Sequence, residues 1–145
     1  MVHHFYLECS WNGGRNSTGV IKTGALESTI SIPSEMNGPG KGTNPDEMLL
    51  GAAATCFVIT YAAMLERANI EKVSLTLSSE AKVDVTNNVF TFKEIIHRPI
   101  VTLKKQSDQE RAEKIAHQAE KSCMISRALA GNVNMVVEPV VQLAN

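Results

Sequence analysis

Met48–Leu65 reads MLLGAAATCFVITYAAML, eighteen residues without a charge and with one cysteine, Cys56, near the middle. Asn44 stands where an N-cap is needed, Pro45 suits the first helical position, and Asp46 and Glu47 complement the positive end of the dipole. The spacing predicts a helix from there to about Arg67. The run just reaches the length of a membrane span. With one Gly, five Ala, two Thr and a Tyr it is not especially greasy, and strand-like sequence flanks it. A soluble helix buried on nearly all sides is the better account. A single domain of 15.8 kDa struggles to cover every face of such a helix, and Gly51 with Ala52–Ala54 allows close approach by a second one. A homodimer is therefore expected.

Working outward, residues 2–10 alternate as a strand and Asn12-Gly13-Gly14 is a turn. Thr18–Lys22 and Leu26–Ile32 read as two more strands, and Pro33–Thr43 as a loop. After the helix, Lys72–Val85 and Val89–Leu103 form a hairpin about Asn87-Asn88, with Pro99 implying a bulge or an edge. Ser107 to Glu110 has capping-box character and opens a helix to about Lys121. A short helix starts at Ser122-Cys123 and closes at Gly131. Asn134–Leu143 is a final strand. The order β-β-β-α-β-β-α-α-β, rich in hairpins, gives one α+β domain over 1–145 with mainly antiparallel sheets.

Composition narrows the function. Fourteen basic and fifteen acidic residues leave a net charge of −1, and only seven aromatics are present. That argues against nucleic acid or an anionic membrane as partner. No basic-then-apolar leader opens the chain, His3 and His4 are too few for a tag, and three cysteines do not make a disulfide scaffold. A cytoplasmic location is expected. Three Cys and four His lie scattered without metal-ligand spacing, Gly38–Gly42 lacks the phosphate-loop pattern, and no GxSxG elbow occurs. No metal and no cofactor are expected.

Cysteine remains. Cys9, at a strand end, reads as structural. Cys56 taken alone is a small core hydrophobe, since burial raises a thiol's pKa and weakens it as a nucleophile. Cys123 lies at a helix start, where backbone amides stabilise a thiolate. A helix-start thiol able to reach a buried one is the arrangement of a peroxidatic and resolving pair.

GTNPDEMLLGAAATCF, residues 42–57, resembles the GTNPEELLAAAHAACF signature of the OsmC/Ohr family of thiol-dependent peroxidases. AEKSCMISRALAGN, residues 119–132, resembles that family's AxxxCPVSxAL segment, and WNGGRN, residues 11–16, its GGRxG turn. The resemblance covers essentially the whole chain. It implies an intertwined homodimer with central helices clasped by sheets, and sites at the subunit interface that reduce hydroperoxides. It further implies Cys56 as peroxidatic thiol, Cys123 as resolving thiol and Arg15 as the arginine that stabilises thiolate and peroxide. An external dithiol, a lipoyl protein or a small thiol, would regenerate the pair. Asp46 stands where the family usually has Glu to orient the arginine, with Glu47 as the alternate. On the helix Glu47 is roughly opposite Cys56, and Asp46 about 80° from it. Leu49 and Phe57 are expected to form an apolar substrate wall favouring organic hydroperoxides. Met124 in place of the family's Pro, and Ala53 or Ala54 near its common His, mark a divergent subgroup. Two other readings share the fold: a non-catalytic binding dimer, and a redox sensor that forms the disulfide but turns over poorly.

Overall fold

A computed structural model describes residues 1–145. The chain divides into two compact units, Met1–Met48 and Leu49–Asn145.

The first unit is a three-stranded antiparallel sheet, β1 (Glu8–Trp11), β2 (Gly19–Thr23) and β3 (Leu26–Ile30), in sequence order. The expected first strand is shorter than its alternation suggests: residues 2–7 lack a ladder partner, and only the Tyr6 carbonyl is tied down, by the Thr23 hydroxyl at 2.7 Å. The loop after β3 contains a 3-10 turn at Ser34–Met36 and returns to pair Thr43 with Ile30. Gly42 makes that return possible. Its φ of 68° is left-handed, and a Cβ there would collide with the Thr29 carbonyl.

Helix α1 runs Pro45–Arg67 as its N-terminal residues predict, with the Asn44 Oδ1 accepting the Glu47 amide at 2.9 Å. In the second unit, β4 (Lys72–Thr86) and β5 (Val89–Leu103) form a long hairpin. Its turn uses Asn87 and Asn88, both at positive φ (52° and 61°), which matches the twist of the flanking strands. Helix α2 (Gln109–Ser122), helix α3 (Met124–Leu129), β6 (Asn134–Val137) and β7 (Val140–Leu143) complete the chain.

Three details correct the sequence reading. The last strand is two, broken at Glu138-Pro139, because proline cannot donate to a ladder. Both pieces pair parallel to β5, so this sheet is mixed. Their break falls opposite Arg98 and Pro99, which gives Pro99 a local edge inside a central strand; the bulges lie elsewhere, at Lys72/Ser74 and Lys82/Val83. Finally, the Ser107 capping box does not form. A 3-10 turn at Gln106–Asp108 precedes α2, and Asp108, its N-cap residue, makes no side-chain cap and pairs with Arg111 instead.

Two apolar clusters hold this unit. The larger joins Phe57, Tyr61 and Leu65 of α1 to Val101 and Leu103 of β5 and to Ala112, Ile115, Ala116 and Ala119 of α2. The Tyr61 hydroxyl donates to the Ala112 carbonyl at 2.8 Å. The smaller gathers Ala53, Ile95 and Val133. From α1 only Ala53, Phe57, Tyr61 and Leu65 are buried, a stripe at four-residue spacing. Ala52, Thr55, Ile59 and Ala63 face outward, Ile59 at 63% exposure. The helix is therefore not enclosed by its own chain. Its most apolar window has a mean hydropathy of 2.0, long and apolar enough to cross a membrane.

A candidate two-cysteine site

Cys56 lies at the midpoint of α1, beside the buried stripe. Cys123 lies in the break between α2 and α3, where extended backbone (φ −59°, ψ 127°) separates two helices. Its amide still closes α2 on the Ala119 carbonyl at 2.9 Å, while its own carbonyl accepts the Arg127 amide at 2.9 Å. That double anchorage fixes the Cα. Both thiols are free.

Cys56, expected to be buried, is half-buried, and Cys123 is the enclosed thiol at 1% exposure. Desolvation pushes the Cys56 thiol up. Against it act the Cys123 side chain, the Ile125 amide, the Thr60 hydroxyl and the Met124 amide, and together they hold Cys56 below an ordinary thiol. For Cys123, burial comes first and the neighbouring Cys56 adds to it. The Ser126 amide and hydroxyl and the Ile125 amide pull back only partly, so Cys123 stays protonated more strongly than usual. The amides opening α3 thus act on the thiol across from them, on α1, rather than mainly on the cysteine that caps the helix. Of the two thiols, Cys56 is thus the readier to ionise, with the Cys123 side chain among the groups that favour its thiolate.

The other expected residues are placed as follows. Arg15 donates to the carbonyls of Met36 (2.9 Å) and Asn37 (3.2 Å) and to Asn16 Oδ1 (2.9 Å). Asn37, left-handed at φ 59°, turns the end of the 3-10 segment so that those carbonyls converge on the guanidinium. Neither Asp46 nor Glu47 pairs with it in this chain, which departs from the expected arginine–carboxylate contact. Glu47 is engaged by the Thr43 hydroxyl at 2.9 Å. Asp46 lines an apolar cleft of about 260 Å³ with Trp11, Ile30, Ile32, Met36 and Met48. Leu49 is half-buried. Phe57 is not a pocket wall: it is fully enclosed, stacked on His97 with centroids 4.7 Å apart and planes 15° from parallel. One residue beyond Cys56 on the helix, it turns into the core. Cys9 is exposed on β1.

Three buried or half-buried polar residues of the second unit escaped the sequence reading. His97, fully buried, has Nδ1 2.7 Å from the Ser79 hydroxyl and no partner for Nε2. Burial pushes it down to about 4. Its place in the inward register of β5, between Ile95 and Pro99, was the available signal. Ser126 is buried with an unpartnered Oγ, and Glu120 is half-buried beside it.

The model of the family described as OsmC-like protein matches residues 38–138. YmaD of Bacillus subtilis (strain 168), an uncharacterised protein, is 58% identical over 97% of this chain and 96% of its own length. Organic hydroperoxide resistance protein-like 2 of Staphylococcus epidermidis is 28% identical over 90% of this chain and 92% of its own. Among solved structures, an organic hydroperoxide resistance protein OsmC from Legionella pneumophila shares the fold with a TM-score of 0.80 at 24% identity, covering 97% of this chain and 98% of that one. The two-cysteine chain built on these mixed and antiparallel sheets belongs to the OsmC-like protein family.

Proposed function

We propose that this protein is a thiol-dependent peroxidase that reduces organic hydroperoxides, with Cys56 as the peroxidatic and Cys123 as the resolving residue. The observation that carries this reading is two neighbouring free thiols in opposite settings: Cys56 half-buried and held below an ordinary thiol, Cys123 enclosed and held above one. The Cys56 thiolate attacks the terminal peroxide oxygen, the O–O bond breaks, that oxygen and its hydrogen become the sulfenic acid, and the departing alkoxide takes a proton from solvent to leave as the alcohol. Cys123 then displaces water from the Cys56 sulfenic acid to give a disulfide. An external dithiol, a lipoyl protein or a small thiol, restores both thiols.

Arg15 is the cation assigned to the developing charge on the departing oxygen. Its present bonds are to neutral carbonyls, so its charge is not spent on a carboxylate. Asp46 is the group assigned to orient it when peroxide binds, with Glu47 held by Thr43 as the weaker choice. Leu49, half-buried on α1, is the apolar residue assigned to favouring bulky organic substrates over hydrogen peroxide. The outward face of α1 is covered by a second copy of this chain in a cytoplasmic homodimer. Its small side chains, Ala52, Thr55 and Ala63, favour close helix approach rather than lipid contact. Two of the proteins it is similar to are named as organic hydroperoxide resistance proteins, which supports the same substrate class.

The test is peroxide consumption with dithiothreitol or a lipoyl protein as reductant, comparing wild type with Cys56→Ser and Cys123→Ser. Cumene hydroperoxide should be consumed faster than hydrogen peroxide, and Cys56→Ser should abolish consumption. Undiminished activity in Cys56→Ser refutes the assignment, and equal turnover of the two peroxides refutes the substrate class.

A further inference from the structure

We propose that Ser126 and Glu120 form a proton relay that deprotonates Cys123 for its attack on oxidised Cys56. This rests on the peroxidase reading above. Disulfide formation requires the resolving sulfur to lose a proton, and Cys123, at 1% exposure, has no direct access to water. Ser126 follows it by three residues and Glu120 precedes it by three, so both sit one helical turn away on the α2–α3 junction.

The Ser126 side chain is itself 2% exposed, and its Oγ closes no hydrogen bond. A buried hydroxyl without a partner is costly, and such groups call for an explanation. Here the hydroxyl is near enough to influence both the Cys123 thiol and the Glu120 carboxyl, yet it is committed to neither. A cleft of about 190 Å³, lined by Glu120, Lys121, Ser126, Arg127 and Ala130, connects it to the surface. The buried sulfur, the uncommitted hydroxyl and the half-buried carboxylate therefore share the α2–α3 junction, and the last two line one open cleft.

Burial pushes Glu120 up, which makes it the better base, while Ser126, Lys121 and His117 pull the other way. The charged and titratable groups around the carboxylate are Lys121 and His117 on its own helix and Arg127 across the cleft on α3.

In the step, Ser126 Oγ takes the Cys123 proton as its own hydroxyl proton passes to Glu120. The Cys123 sulfur bonds to the Cys56 sulfur, and the S–O bond of the sulfenic acid breaks. Glu120 releases its proton to water in the cleft, and the hydroxide departing from half-buried Cys56 takes a proton from solvent and leaves as water. Cys123 sulfur is oxidised and Cys56 sulfur is reduced by the same electron pair. Ser126 receives the proton of the reacting sulfur, and Glu120 acts through it.

The experiment treats the reduced protein with one equivalent of cumene hydroperoxide, quenches at intervals, and resolves sulfenate from disulfide by intact mass. In Ser126→Ala and Glu120→Gln, sulfenate should accumulate as is expected of Cys123→Ser, and its conversion to disulfide should slow at least about tenfold. Ser126→Thr, which keeps a hydroxyl, should restore conversion to within about threefold. Conversion in Glu120→Gln should climb steadily with pH as hydroxide replaces the carboxylate, whereas the wild type levels off. Conversion in both relay variants within about threefold of wild type at neutral pH overturns the relay and leaves the peroxidase reading standing. A wild type that forms neither sulfenate nor disulfide overturns both.

Discussion

Acid should destabilise this fold through His97. The imidazole is fully buried between Phe57 and the Ser79 hydroxyl, and its Nε2 has no partner to receive a second proton's charge. Burial lowers it from 6.5 to about 4. Because the folded value is depressed, the unfolded chain binds the proton first. Stability is complete above pH 6.5 and is lost as pH falls toward 4. The linkage amounts to about 2 kcal/mol by pH 5 and about 3 kcal/mol by pH 4, a large share of a typical domain's stability. The check is urea denaturation of wild type and His97→Phe across pH 7 to 4. Phenylalanine keeps the stack on Phe57 and cannot titrate. At pH 7 the two should lie within about 1.5 kcal/mol of each other, the usual cost of a near-isosteric core change. By pH 4 the balance should have moved toward the variant by about 3 kcal/mol, the other acid-sensitive groups cancelling in the comparison. A difference that stays constant from pH 7 to 4, or an imidazole that titrates near 6.5 by NMR, refutes the reasoning.

Other consequences are as specific. Alkylation of Cys56 should show a midpoint below that of an ordinary thiol, and Cys123→Ala should raise it, because the thiol donor is gone; an unchanged profile contradicts the poise assigned to the pair. Gly42→Ala should cost about 2 kcal/mol or more in urea denaturation, since both the left-handed φ and the Thr29 carbonyl exclude a Cβ. Ile59→Glu, on the outward face of α1, should convert a dimer to monomer in light scattering, whereas a monomeric wild type would remove the proposed partner. Tyr61 is raised to about 12 by burial and Glu113, so its neutral form stabilises the fold below pH 10 and that contribution disappears as pH climbs from 10 to 12. Tyr61→Phe should flatten that alkaline loss.

Much of the fold was legible because its determinants are local. Asn44, Pro45 and the two acids after them mark the start of α1, and β5 occupies the stretch its alternation predicts, Val89–Leu103. The parallel pairing of β6 and β7 was not legible, since it depends on a crossover through two helices and not on any nearby residue. Pro139 did carry the break between those strands in plain view; a missing N–H interrupts a ladder wherever it falls. The site divides the same way. The motif resemblance singled out Cys56 and Cys123, but which of them is enclosed depends on packing from both helices. Phe57 illustrates the limit: its neighbour faces the thiol pair while it turns one residue later onto His97. Ser126 looked like one more polar residue in a short helix, and only burial without a partner distinguishes it.

The central claim is that Cys56 and Cys123 form a peroxide-driven redox pair with fixed roles. Intact mass after one equivalent of cumene hydroperoxide tests it most directly. Wild type should lose two hydrogens, Cys123→Ser should gain one oxygen on Cys56, and Cys56→Ser should remain unmodified. An oxygen added to Cys123 in the Cys56→Ser variant, or a wild type unchanged by the peroxide, would contradict the account.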